Sequence, residues 1–169
     1  MAKLFLTTIP SQEELHQTAC QIFPEAEPLS LYSNLLFRKV ATDIEINYDN
    51  FFAQFDLSPG RFTLIMLLKK NPAGLMPSEL AQKVGVTQAT ISGLINSLEK
   101  SEIVARETHE KDGRAFVIKL TPKGNALIQK LAPEWYPRIM GFWAQLTQEE
   151  KTTLNTILEK MSKNMHLLK

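Results

Sequence analysis

Residues 87–100 place small hydrogen-bonding side chains on one face of a helix. Ile91, Leu94, Ile95 and Leu98 recur at i, i+3, i+4 and i+7, the spacing of an apolar stripe. With that stripe turned inward, Gln88, Ala89, Ser92, Gly93 and Asn96 fall on the opposite side. Such a face is slim and polar, and it suits the major groove of double-stranded DNA. The amides of Gln88 and Asn96 match the donor–acceptor edge of adenine, and Ala89 suits a thymine methyl. Thr87 reads as the helix N-cap. Together with Thr90 and the free N–H groups of the first turn, it offers hydrogen bonds to phosphates. Arg106, Lys111, Asp112 and Arg114 follow in and around a hairpin. Arg114, near its tip, can reach a minor groove, where negative potential draws a guanidinium, and Asp112 can fix its pose by charge-assisted bonds. Lys111 and Arg106 add charge within phosphate range.

These residues need a frame, and the surrounding sequence supplies one. Pro77 opens a short helix with Leu80, Ala81 and Val84 inward, and Gly85 ends it. Only Val86 and Thr87 then separate it from the helix just described, which makes a helix-turn-helix. The period changes to that of strands at Ile103–Glu107 and Ala115–Leu120, with a charged turn, Thr108–Arg114, between them: a β-hairpin, or wing. Upstream, Ser58-Pro59 caps a helix that stops before Asn71-Pro72. Before it, a long amphipathic helix is expected from about Leu31 to Ala53, preceded by an acidic Pro24–Pro28 linker and a short helix at about Ser11–Phe23 opened by a capping box. Thr121-Pro122 starts a helix expected to kink or break at Pro133 and Pro137. A second capping box at Thr147 opens a last helix with Leu154, Ile157, Leu158, Met161 and Met165 on one stripe.

Charge follows this division. The 169-residue chain has a net charge of +1, but residues 61–124 hold ten basic and six acidic side chains, and the remainder is net negative. A basic middle between acidic flanks suggests a module facing a polyanion. With 44% hydrophobic and 22% charged residues the composition is that of a globular protein. No apolar run approaches the ~20 residues of a membrane span, and the first ten residues do not read as a secretory signal, so no membrane partner and a cytoplasmic location are expected. A single cysteine, Cys20, excludes an internal disulfide and reads as a packed thiol. His16 and Cys20 lie at i, i+4 with Glu13 one turn earlier, but no fourth ligand is evident, so no metal is expected. No nucleophile–base motif, phosphate loop or dinucleotide fingerprint occurs, and neither catalysis nor a cofactor is expected.

Several stretches together carry a family resemblance: Leu75–Ala81, Val86–Ser92, Leu98–Lys100, Ile103–Arg106, Asp112-Gly-Arg114 and Leu120-Thr-Pro-Lys-Gly124, with Leu57–Phe62 just upstream. The chain resembles MarR-family transcriptional regulators from about Leu31 to Met165, and the Asp-x-Arg and Leu-Thr-x-x-Gly pieces are the most diagnostic. The resemblance implies a mainly α fold with a small β-hairpin: a winged helix-turn-helix plus a helical dimerisation region. It divides the chain into an arm (1–29), a dimerisation region (30–56 and 122–169) and a DNA-binding domain (57–121). It implies a homodimeric repressor bound to a pseudo-palindromic operator and modulated by a small ligand. Gln88, Ala89, Thr90 and Ser92 fall on its DNA-reading helix, and Asp112 and Arg114 on its wing pair. Three positions depart from the family pattern. Gly93 replaces a frequent arginine, Met76 a capping Ser or Thr, and Glu102 a helix-ending glycine.

The family also binds small phenolic or lipophilic effectors between its two parts. Phe51, Phe55, Trp135 and Trp143 are the aromatic candidates for such a pocket here, with Arg38 or Arg61 to pair an acidic ligand. The competing reading is a winged-helix protein-interaction module without sequence-specific DNA binding, which Gly93 and the near-neutral total charge favour.

Overall fold

The computed structural model describes residues 7–109 and 112–168. The helices are α1 (Gln12–Ile22), α2 (Pro28–Ala53), α3 (Pro59–Lys70), α4 (Pro77–Val84), α5 (Gln88–Lys100), α6 (Pro122–Trp143) and α7 (Gln148–Lys163). Strands β1 (Val104–His109) and β2 (Asp112–Leu120) lie between α5 and α6, and a 3₁₀ turn, Met165–Leu168, follows α7. The fold is mainly α with one antiparallel hairpin, as expected. Among the described residues no helix is long and apolar enough to cross a membrane.

Local chemistry sets most of the boundaries. The Ser11, Ser58, Thr87, Thr121 and Thr147 side chains each accept from a backbone N–H in the first turn of their helix. Met76 cannot do this. Instead the Glu79 carboxylate reaches back and accepts from the Met76 N–H at 2.7 Å, so half of a capping box survives. Gly85 closes α4 in the left-handed region at φ 72°. Glu102 adopts φ 60°, which explains the glycine usual there. Its strain is offset by two bonds: the Thr121 hydroxyl donates to its carbonyl at 2.6 Å, and Lys123 pairs with its carboxylate at 2.9 Å. The lysine holds the Glu102 carboxyl below its ordinary range.

Three expectations are corrected. Helix α2 begins at Pro28 rather than near Leu31, because the Glu27 carboxylate accepts from the N–H groups of Leu29 and Ser30 and proline suits the first helical position. The strands reach further toward the tip than the β-branched runs suggested: Thr108 pairs with Phe116, His109 with Asp112, and β2 begins at Asp112. Helix α6 runs unbroken through Pro133 and Pro137. Both prolines are exposed and sit one turn apart on one outer face, where the carbonyls freed at Gln129 and Pro133 can meet solvent.

One hydrophobic core joins the pieces. Leu64, Ile65, Leu68, Leu80, Ile91, Ile95, Leu98 and Ile118 pack the helix-turn-helix against the hairpin. Leu75 bridges Ile118 through two backbone bonds, so β2 is paired on both edges. Phe51, Phe52, Leu131 and Trp135 extend the core into the α2–α6 layer. Gly124 permits the closest approach. A Cβ there would stand 2.3 Å from the Ile103 carbonyl oxygen, which explains the glycine of Leu-Thr-x-x-Gly. The first half of α2 and all of α7 bury no residue fully. Leu36 and Val40 on the apolar stripe of α2 are exposed.

Candidate nucleic-acid interface and effector cavity

Helix α5 separates its faces cleanly. Ile91, Ile95 and Leu98 are buried, whereas Thr87, Gln88, Ala89, Thr90, Ser92, Gly93 and Asn96 are all exposed. The Thr87 side chain accepts from the Thr90 N–H at 3.2 Å, and the two hydroxyls lie 2.9 Å apart. The first intrahelical bond runs from the Ile91 N–H to the Thr87 carbonyl. The N–H groups of Gln88 and Ala89 therefore precede the ladder and point out of the positive end of the helix, an arrangement suited to a phosphate. A Cβ at Gly93 would meet nothing within 4 Å, so the centre of this face is open.

The hairpin stands beside α5. Arg106 projects from β1 back onto the helix, where its Nη2 donates to Asn96 Oδ1 at 2.6 Å and lies 3.5 Å from Glu99 Oε2. Across the ladder, Lys119 pairs with Glu107 at 2.7 Å. Lys111 lies outside the described residues, and of Asp112 and Arg114 only the backbone, in β2, is described.

The aromatic candidates divide between two hollows. Phe51, Trp135 and Trp143 line a cavity of about 310 Å³ between α2 and α6, with Ile44, Asn47, Tyr48, Arg138, Ile139 and Phe142. In its wall the Trp135 ring centroid lies 4.6 Å from that of Tyr48 and 4.8 Å from that of Phe51. Phe55 and Arg61 belong instead to a second hollow of about 380 Å³ at the joint of α3, α5 and α6, beside Lys123 and Leu127. Arg61 there donates to the Asp56 carbonyl at 3.2 Å. Arg38 lines neither hollow. The cation at the first cavity is Arg138, which the sequence reading missed; its Cζ lies 4.9 Å from the Phe51 ring centroid. The spacing held the signal, since Trp135, Arg138, Ile139 and Phe142 share one helix face at i, i+3, i+4 and i+7. Cys20 is half-buried on α1, with its Sγ 3.3 Å from His16 Nδ1.

Comparison with known proteins agrees with this geometry. Residues 55–115 match the sequence model of the MarR family. The HTH-type transcriptional repressor YetL of Bacillus subtilis is 32% identical over 122 residues, covering 72% of this chain and 73% of that protein. The HTH-type transcriptional regulator PecS of Dickeya dadantii is 25% identical over 143 residues, covering 83% and 85%. Among solved structures, Staphylococcus aureus MepR in complex with DNA superposes with a TM-score of 0.70 at 23% identity, over 78% of this chain and 95% of that one. A MarR/EmrR family transcriptional regulator from Acinetobacter sp. ADP1 gives 0.68 at 17% identity, over 82% and 98%. The winged helix-turn-helix, the exposed face of α5 and these similarities together place the chain in the MarR family of winged-helix transcriptional regulators.

Proposed function

We propose that this regulator acts as a homodimeric repressor that binds a pseudo-palindromic operator and is released by a small aromatic or lipophilic effector. The observation that carries the reading is the uncrowded face of α5, which leaves Gln88, Ala89 and Ser92 free of packing duties beside a capped helix N-terminus. In this reading residues 57–121 bind DNA, residues 30–56 and 122–169 form the dimer, and residues 1–29 are an arm. Gln88, Ala89 and Ser92 meet base edges. Thr87, Thr90 and the start of α5 meet phosphate, and Asp112 and Arg114 take the minor groove with Lys111 nearby.

The dimer is supported by apolar surface that one protomer leaves uncovered. Leu36, Val40, Met140, Ile157 and Met161 are each more than 40% exposed, all on helices outside residues 57–121. Covering such side chains against a second copy would remove their apolar surface from water. The effector reading is supported by the α2–α6 cavity, where an apolar aromatic wall meets the Arg138 guanidinium, a combination that fits an aromatic carboxylate. Selection of bound duplexes from a random DNA pool tests the proposal. It should enrich a two-fold-related sequence. A pool that stays random at low salt would transfer the fold to the protein-interaction reading.

A further inference from the structure

Arg106 is engaged on three sides. One edge of its guanidinium donates to Asn96 Oδ1 at 2.6 Å, Glu99 Oε2 lies 3.5 Å away, and Cζ stands 5.2 Å from the Phe116 ring centroid. The three partners come from two elements, Asn96 and Glu99 from α5 and Phe116 from β2. Phe116 pairs with Thr108 in the ladder and is 41% exposed, an unusual place for a ring unless its surface is used. Lysine could not replace this arrangement, because only a planar fork both stacks on a ring and bonds in its own plane.

The contact fixes the orientation of Asn96. A guanidinium has donors and no acceptor, so the amide atom facing it must be oxygen. Reading adenine requires the amide oxygen and the amide nitrogen together. With one lone pair of Oδ1 taken by Arg106, Asn96 turns its two N–H donors away from the guanidinium, a set that suits phosphate oxygens better than the paired donor–acceptor edge of adenine. Its position agrees. Asn96 lies eight residues beyond Gln88, or about 12 Å along the helix axis at ~1.5 Å per residue, away from the end that carries Gln88 and Ala89.

We propose that Arg106 is a positioning residue rather than a phosphate ligand: it locks Asn96 as a phosphate donor and ties the wing to the recognition helix. The proposal rests on the DNA-binding reading above. Glu99 offsets the charge of Arg106, so this cation adds little to the electrostatic component of binding.

The test compares parent, Arg106→Ala, Arg106→Lys, Asn96→Ala and the Arg106→Ala/Asn96→Ala double variant. Each is titrated with the selected operator and with a random-sequence duplex across a salt series, and its melting temperature is measured alongside. Arg106→Ala should weaken binding to the operator and to the random duplex alike, by ~10-fold, while moving the salt slope by well under one unit. Arg106→Lys should behave like Arg106→Ala, because the charge returns but the clamp does not. The double variant should bind no worse than the weaker single variant, which shows that the two residues act as one unit. Full rescue by lysine, a salt slope lower by about one in Arg106→Ala, or additive losses would each overturn the clamp. If Arg106→Ala does not fold, Arg106→Lys and Asn96→Ala decide alone: no rescue by lysine with an unchanged base preference in Asn96→Ala supports the clamp, and rescue or a relaxed base preference overturns it. A parent that enriches no DNA sequence defeats the DNA-binding reading itself, and the clamp with it; a parent that does so while Arg106→Lys matches it defeats only the clamp.

Discussion

Two glycines on helices should respond oppositely to the same added methyl group. At Gly124 a Cβ would stand 2.3 Å from the Ile103 carbonyl oxygen and 3.1 Å from Leu120 Cδ2. That carbonyl cannot retreat freely. It accepts from the Thr121 N–H at 3.1 Å, and the Thr121 side chain caps α6. Forcing an extra methyl into packed structure costs about 1–3 kcal/mol, and each weakened hydrogen bond about 0.5–1.5 kcal/mol more. The better helix propensity of alanine returns only about 0.5–1 kcal/mol. Gly124→Ala should therefore lose about 2–3 kcal/mol, which for a chain of this size lowers Tm by roughly 5–10 °C. Gly93→Ala meets nothing within 4 Å and gains the propensity alone, so its Tm should rise by about 1–4 °C. Thermal unfolding followed by circular dichroism reads both. A Gly124→Ala protein as stable as the parent would refute the close approach of α6 to the Ile103 carbonyl. A destabilised Gly93→Ala would refute the open face of α5.

Other outcomes follow from the same geometry. Arg114→Ala should weaken operator binding by ~1–3 kcal/mol and lower the salt slope by about one, whereas Asp112→Ala should weaken operator binding with little change of slope; titrations at several salt concentrations separate the two. An aromatic carboxylate should quench or shift the fluorescence of Trp135 and Trp143 and lower operator affinity by ~5–150-fold, with both effects lost in Arg138→Ala. No response of either signal across a broad panel of acids would remove the effector from the α2–α6 cavity. Sedimentation at micromolar concentration should give a dimer, and a charged pair such as Val40→Asp with Ile157→Asp should give a monomer. Lys123 holds the Glu102 carboxyl below its ordinary value, so its contribution to stability is present above the unfolded range near 4.5 and disappears as pH falls through the lowered folded value. Glu102→Gln should accordingly show a shallower loss of Tm on acidification than the parent.

The sequence was most informative where one physical rule governs one short segment. Caps are the clearest case: Ser11, Ser58, Thr87, Thr121 and Thr147 were read as caps from residue type and position, and each accepts the expected backbone N–H. The two faces of α5 followed from a regular 3.6-residue period. Prediction was poorer where two rules compete. Pro133 and Pro137 signalled a break, but their shared exposed face lets α6 continue. The Glu27 carboxylate starts α2 at Pro28, three residues before Leu31, where the apolar pattern begins. Side-chain partnerships were least legible. Nothing in spacing alone shows that Arg106 turns onto Asn96 ten residues earlier, or that Arg138 rather than Arg38 reaches the α2–α6 cavity, because both depend on how separate elements pack.

The central claim is that the exposed face of α5 reads base edges, and parallel selections with the parent and Gln88→Ala test it most directly. A random duplex pool is carried through both, and the enriched sequences are compared position by position. The account predicts a two-fold-related site in the parent, with half-sites about 10 base pairs apart, centre to centre, or a multiple of that. Gln88→Ala should relax the preference at one position in each half-site and leave the rest intact. Identical enriched sequences from the two proteins, or no enrichment by the parent, would contradict it.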